Sequence, residues 1–268
     1  MLRTRVISAI IGLPLIIGAL FFGGKPLTAL IFLLSITGLY EYFNAFKNVG
    51  FKPSTWVGYL GTIVYYSLIV FNRNSVVSFS LILFIIIILL FFDTIKRNNN
   101  IIDAALTILG MIYIPCMFSN IIFLQNGING KALVWLPFIT AWLSDTFAYF
   151  AGITLGKNKL CPKISPKKTI EGSLGGIIGS VVSSLVAGII FNNIGFLIPL
   201  IHFGIIGALS GAMGQIGDLF ASSIKRFCKI KDYGNIIPGH GGILDRFDSI
   251  LFTAPTVYFY FVFIVGNL

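Results

Sequence analysis

The chain has 268 residues, 56% of them hydrophobic and only 10% charged, with 26 Phe and a mean hydropathy of +0.94. A soluble globular domain carries about 25% charged residues, so too little polar side chain is present to coat a water-facing surface, and that class is excluded. Nineteen Lys and Arg against nine Asp and Glu give a formal net charge of +10, which in so apolar a chain is first a signal of membrane topology.

A spanning helix needs about 20 predominantly apolar residues. Nine windows have that length, at about 5 to 23, 26 to 46, 54 to 72, 75 to 92, 104 to 124, 132 to 155, 172 to 191, 195 to 217 and 249 to 266. The expected fold is all-α: a polytopic integral membrane protein with about nine transmembrane helices.

The first window, "MLRTRVISAIIGLPLIIGALFFGG", lacks a small-residue cleavage site, and its apolar run is long for a signal peptide; it reads as a retained helix. The second ends in "GLYEYFNAFK", where Glu41 precedes Lys47 by six residues and reads as an interfacial acid that reaches water and carries no chemistry. Residues 1–130 form a region of about five apolar helices, and residues 131–268 a region of about four with two polar loops, 156–171 and 218–248.

The sixth window holds Asp145, in "TAWLSDTFAYF". An unpaired carboxylate inside a span costs about 2.5 to 3.5 kcal/mol on insertion scales, so a function or a hydrogen-bonding partner is expected, and both stay open. The seventh and eighth windows are rich in small residues, "EGSLGGIIGSVVSSLVAG" and "FGIIGALSGAMGQIG", which suits close backbone packing of membrane helices. Cys116, Cys161 and Cys228 form no C-x-x-C and are odd in number, so neither a zinc site nor a disulfide framework is indicated.

With nine crossings, the N-terminus and the loops after windows two, four, six and eight share one face. That face holds Arg3, Arg5, Lys47, Lys52, Lys96, Arg97, Lys157, Lys159, Lys163, Lys167, Lys168, Lys225, Arg226, Lys229, Lys231 and Arg246, leaving only Lys25, Arg73 and Lys131 opposite. Cytoplasmic loops carry the Lys/Arg excess, so the N-terminus and both polar loops are expected in the cytoplasm and the C-terminus outside.

The first polar loop, "GKNKLCPKISPKKTIEG", has five lysines broken by Pro162 and Pro166, which disfavour a helix. Phosphate binding and anchoring to anionic lipid both account for it. The second, "GDLFASSIKRFCKIKDYGNIIPGHGGILDRFDS", mixes Asp218, Asp232, Asp245 and Asp248 with five basic residues and His240. Anchoring gains nothing from aspartates, whereas a site for phosphate and Mg²⁺ needs both signs. Asp245 and Asp248 fall on one face if the last helix starts there, although aspartates in a first turn also cap free N–H groups. Gly239, Gly241 and Gly242 fit either a close ligand or a plain turn. His202, in an apolar segment, reads as a packed helix residue.

"SSIKRFCKIKDYGNIIPGHGGILDRFDS" resembles the signature of the phosphatidate cytidylyltransferases, with Ser222, Lys225, Arg226, Lys231, Asp232, His240, Gly241, Gly242, Asp245, Arg246 and Asp248 all in register. "SDTFAYFAGITLGKNKLCPKISPKKTIEG" is similar to the family's other recognisable stretch, Asp145 and the lysines included. The resemblance implies a membrane enzyme of a bacterial-type inner membrane that uses CTP and Mg²⁺ to convert phosphatidic acid into CDP-diacylglycerol, with its active site facing the cytoplasm.

On that reading Asp218, Asp245 and Lys225 are the catalytic candidates, and Asp218, Asp245 and Asp248 the metal ligands. Lys167, Lys168, Ser222, Arg226, Lys231, His240, Gly241, Gly242, Arg246 and Asp145 are the substrate-binding set. The expected partners are CTP, phosphatidic acid and the lipid bilayer, with a homodimer left open and no nucleic acid. A CTP-dependent lipid or polyprenol kinase and a transporter with Asp145 as a midplane ion site are the competing classes.

Overall fold

Backbone groups in hydrocarbon must find their hydrogen bonds inside the protein, and helices do this within one segment. The computed structural model describes residues 2–71, 76–97 and 100–266, with the side chains of 2–7, 9, 76–82 and 97 outside that description. Arg3, Arg5, Arg73 and Arg97, counted above for topology, therefore lie outside the described side chains.

The helices are α1 (Leu2–Phe22), α2 (Gly24–Lys47), α3 (Thr55–Val70), α4 (Val76–Arg97), α5 (Ile101–Met111), α6 (Met117–Asn126), the short α7 (Gly130–Leu133), α8 (Leu136–Thr154), α9 (Ile170–Asn193), α10 (Leu200–Phe227) and α11 (Leu244–Tyr260). A π-helical segment, Ile112–Cys116, joins α5 to α6, and Pro115 inside it lacks the N–H that a regular ladder needs. Among the described residues six helical stretches are long and apolar enough to cross a membrane: Gly24–Lys47, Ile101–Asn126, Gly130–Thr154, Ile170–Asn193, Leu200–Phe227 and Leu244–Val265. Hydroxyls within them bond back to their own helix, as Thr140 Oγ1 does to Leu136 O at 2.7 Å and Ser35 Oγ to Ile31 O at 2.8 Å.

The all-α expectation has one exception. The lysine loop folds as an antiparallel hairpin, β1 (Lys159–Cys161) with β2 (Ser165–Thr169), pairing Lys159 with Thr169 and Cys161 with Ser165. Pro162 and Pro166 preclude a helix there, and an extended strand keeps its ammonium groups apart. Thr169 then starts α9, its Oγ1 accepting a hydrogen bond from Gly172 N at 3.0 Å.

The small residues of α9 and α10 do bring backbones together. A Cβ on Gly179 would stand 2.4 Å from the Phe147 ring on α8, and one on Gly207 would stand 2.7 Å from Val181 Cα. Helix α10 continues past the expected end at 217, so Asp218, Ser222, Lys225 and Arg226 stand on a helix and not in a loop. Its 28 residues span roughly 42 Å at about 1.5 Å per residue, more than the hydrocarbon thickness of about 30 Å, so its charged last turns can reach the interface. One buried cluster, including Tyr42 and Phe43 of α2, Phe118 of α6, Phe138 of α8, Ala221 of α10 and Leu251 of α11, joins the N-terminal helices to the C-terminal ones.

Candidate active site

Asp218, Ser222, Lys225 and Arg226 recur along α10 at the spacing of one helix face. That face meets the start of α11. Lys225 Nζ donates to Asp245 Oδ1 at 2.7 Å, with only 14% of the lysine and 3% of the aspartate side chain exposed. The same ammonium lies 5.6 Å from the centre of the Tyr233 ring. Burial raises the phenol pKa of Tyr233, and its hydroxyl donates to Ala221 O at 3.0 Å.

Asp245 Oδ2 accepts hydrogen bonds from Tyr233 N at 2.7 Å and Gly242 N at 3.0 Å. One carboxylate therefore binds α10, the loop and the start of α11 together. Gly239 and Gly241, with φ of 78° and 89°, occupy the left-handed region that glycine tolerates, and Ile237 N closes the turn on Gly241 O at 3.0 Å. The glycines thus serve a turn packed against protein carboxylates.

The cap of α11 comes from elsewhere. Glu41, on α2, accepts hydrogen bonds from Ile243 N and Leu244 N, both at 2.9 Å, and is 1% exposed. The expectation that it is an interfacial residue in contact with water is corrected: it is buried, and its two oxygens satisfy N–H groups that the new helix cannot satisfy itself. Of the capping role foreseen for Asp245 and Asp248, Asp245 keeps a part, accepting Gly242 N just before the helix. Asp248 Oδ1 accepts Ser249 N, at 2.8 Å.

The second grouping surrounds a cavity of about 400 Å³ between α8, α9, α10 and the hairpin, lined among others by Asp145, Lys167, Lys168, Ser173, Gln215 and Asp218. Lys168 Nζ lies 2.6 Å from Asp218 Oδ2, and Ser222 Oγ donates to Asp218 Oδ1 at 3.2 Å. Asp145, Asp218 and Asp248 stand close enough to feel one another's charge. Among the described residues no three His, Cys, Asp or Glu side chains form a ready-made metal cage.

Some candidates stand away from this cavity. Arg226 Nε donates to Ile164 O of the hairpin at 3.2 Å, and Lys231 is exposed on the loop. His240 faces α1, its Nδ1 2.7 Å from Ser8 Oγ, and Arg246 Nε donates to His240 O at 2.8 Å. Both border a smaller cavity of about 190 Å³ against α1, with Trp142 and Phe247. His202 pairs with Tyr260 Oη at 3.0 Å inside the helix bundle, as a packed residue would.

Sequence reading misassigned Glu41 and passed over the Ser173–Gln215 pair. Ser173 Oγ donates to Gln215 Oε1, and Gln215 Nε2 donates to Ser173 O at 2.9 Å. A glutamine inside an apolar span, three residues before Asp218, was the available signal.

The model of the Cytidylyltransferase family matches residues 3–264. The phosphatidate cytidylyltransferase of Bacillus subtilis is 33% identical over 265 residues, covering 96% of this chain and 94% of that protein. That of Staphylococcus saprophyticus is 33% identical over 261 residues, 95% of this chain and 96% of the relative. That of Rickettsia bellii is 39% identical over 162 residues, 57% of this chain and 67% of the relative. Matched from residue 3 to residue 264, the chain belongs to the cytidylyltransferase family.

Proposed function

We propose that this chain transfers the cytidylyl group of CTP to phosphatidic acid, forming CDP-diacylglycerol and pyrophosphate. The observation that carries this reading is the convergence of Asp145, Asp218, Lys167 and Lys168 on one cavity, with Asp248 and the Lys225–Asp245 pair beside it. Both reactants are anions, and catalysis of phosphoryl-type transfer rests on positioning and neutralisation of charge.

A phosphate oxygen of phosphatidic acid attacks the α-phosphorus of CTP, the new O–P bond forms, and the bond from that phosphorus to the bridging oxygen breaks as pyrophosphate leaves. The acceptor oxygen is already anionic, so no external base is required. Lys167 and Lys168 bind phosphate oxygens from the hairpin side. Lys225 adds positive charge from α10, oriented by Asp245. With three donors on its two oxygens, Asp245 suits the task of holding Lys225 and the loop better than that of binding metal.

The donor set fits Mg²⁺. Asp145 and Asp218 line the cavity and Asp248 lies within electrostatic range of both, and Mg²⁺ uses one or two carboxylates with water and phosphate oxygens completing its shell. Asp218 and Asp248 would hold it, and it would supply neutralisation of the charge on the transferring phosphates.

On this reading the site lies at the cytoplasmic headgroup plane of a nine-crossing chain with a cytoplasmic N-terminus. The charge asymmetry supports this, as do the charged last turns of α10. Incubation with CTP labelled in the α-phosphate tests the activity. Label in the lipid fraction is the expected result; label left water-soluble while the lipid gains a phosphate indicates a kinase instead. For topology, an impermeant maleimide is expected to modify Cys161 of the hairpin in inside-out vesicles and not in right-side-out ones.

A further inference from the structure

A tyrosine of the N-terminal helices lies within electrostatic range of the acids. Tyr113 lies in the π-helical segment Ile112–Cys116, a distortion that re-aims side chains and recurs at functional sites. Its ring packs edge-on against Phe220, at 5.0 Å between centroids, and against Phe252 at 6.3 Å. Phe220 follows Asp218 by two positions on α10, and Phe252 lies one turn beyond Asp248 on α11. Tyr113 is thereby wedged between the two helices that carry the acids.

The residue is 2% exposed, and among the described residues its hydroxyl has no hydrogen-bond partner. Buried polar groups are rarely left so, because desolvation is then uncompensated. The phenol lies within electrostatic range of Asp248, Asp218 and Asp245, and Asp248 acts on it most strongly. Each of these acids already accepts other donors: Ser249 N on Asp248, Ser222 and Lys168 on Asp218, and Lys225, Tyr233 N and Gly242 N on Asp245. The phenol bonds to none of them. The donor thus has no acceptor among the described residues, and the acceptors this site must take are phosphoryl oxygens.

We propose that the Tyr113 hydroxyl donates a hydrogen bond to a phosphoryl oxygen of bound substrate, making it a substrate contact supplied by the N-terminal helices. This rests on the cytidylyl-transfer reading above. The oxygen belongs either to the CTP phosphates or to the phosphate of phosphatidic acid, and the two arms of the test separate them.

Tyr113→Phe removes only the unpartnered oxygen and keeps every ring contact. Thermal midpoint in detergent is expected to stay at or above the wild-type value, while kcat/KM falls about 10- to 100-fold, the worth of one hydrogen bond to a charged group. Varying CTP at saturating phosphatidic acid, and then the reverse, assigns the oxygen to the substrate whose kcat/KM falls more. Wild-type kcat/KM for both substrates overturns the proposal, and so does a lowered midpoint accompanying the loss, which marks a structural role. Failure of the wild-type protein itself to place label from α-labelled CTP in lipid is a different result. It overturns the activity on which the proposal rests.

Discussion

Glu41 Oε2 accepts a hydrogen bond from Leu244 N at 2.9 Å, across 203 positions of sequence. Its other oxygen takes Ile243 N at 2.9 Å, so a single carboxylate from α2 satisfies two N–H groups at the start of the helix that carries Asp245 and Asp248. Glu41→Ala leaves both donors buried without acceptors, each costing about 1–3 kcal/mol. Glu41→Gln retains one acceptor oxygen but turns an amide N–H toward a backbone N–H. Both variants are expected to melt earlier in detergent and to lose turnover, the alanine variant more so. An unchanged melting midpoint in Glu41→Ala would remove the cap from the account of stability.

Gly242 stands where it does because of that carboxylate. A Cβ there would lie 2.5 Å from Glu41 Oε1 and 2.6 Å from Oε2, distances real side chains do not adopt. Gly242→Ala alone should therefore destabilise strongly. In a Glu41→Ala background the obstacle is gone, so the second substitution should add little, and the pair should be far from additive. Thermal midpoints of the four proteins of this cycle measure the coupling. Additive losses would mean that Gly242 is required for a reason other than Glu41.

Asp245 and Asp248, three residues apart on α11, should respond differently to loss of charge. Asp245 is the buried partner of Lys225, with 3% of its side chain exposed, and breaking a buried pair by removing one member typically costs about 3–5 kcal/mol. Asp245→Asn and Lys225→Met should each lower the melting midpoint sharply. Among the described residues Asp248 accepts Ser249 N, and it stands near Asp218 and Asp145, so Asp248→Asn relieves repulsion. It should keep or raise the midpoint while abolishing Mg²⁺-dependent turnover. A midpoint that collapses in Asp248→Asn and holds in Asp245→Asn would reverse the two roles.

The chain turns off α10 through Lys229, whose φ of 55° places it in the left-handed region. Ile230 N bonds to Lys225 O at 2.9 Å and Lys229 N to Arg226 O at 3.2 Å, the pairing of a helix end that glycine ordinarily completes. A residue with a Cβ pays roughly 1–2 kcal/mol in that conformation. Lys229→Gly is expected to raise stability by a part of this, read as a higher midpoint, with turnover unchanged. A lower midpoint would show that the lysine side chain makes contacts worth more than the strain.

Helical spans were legible because hydrocarbon enforces long apolar runs, and the polar stretches stood out against them for the same reason. Asp145 was legible as an oddity, since a carboxylate inside a span demands a partner, and it does line the cavity with Asp218. Window counting stopped α10 at its first charge, although Phe220, Ala221 and Ile224 continue its packed face and the helix runs on to Phe227. Glu41 was opaque because its partners are backbone N–H groups of a distant helix, and no periodicity reports those. The lysine loop's prolines excluded a helix but left the hairpin unspecified, since its pairing depends on register against β1 and on Glu171, which accepts Lys157 N at 3.1 Å.

Lys168 and Asp218 meet at 2.6 Å with about a quarter of each side chain exposed, 25% and 28%. A pair that open to solvent contributes at most about 1 kcal/mol, so Lys168→Met should shift the midpoint little. Its effect on ligands should be large and of opposite sign for the two of them. In the free protein the ammonium occupies an oxygen of the carboxylate assigned to Mg²⁺, and removing it should let the cation bind Asp218 more tightly. With nucleotide present the same ammonium is needed on phosphate, so CTP affinity should fall, by about 10-fold or more for one charge-assisted bond. Midpoint shifts with Mg²⁺ alone, and then with CTP added, separate the two effects. If Lys168→Met weakens Mg²⁺ and CTP together, the lysine is a support of the metal site and not its competitor.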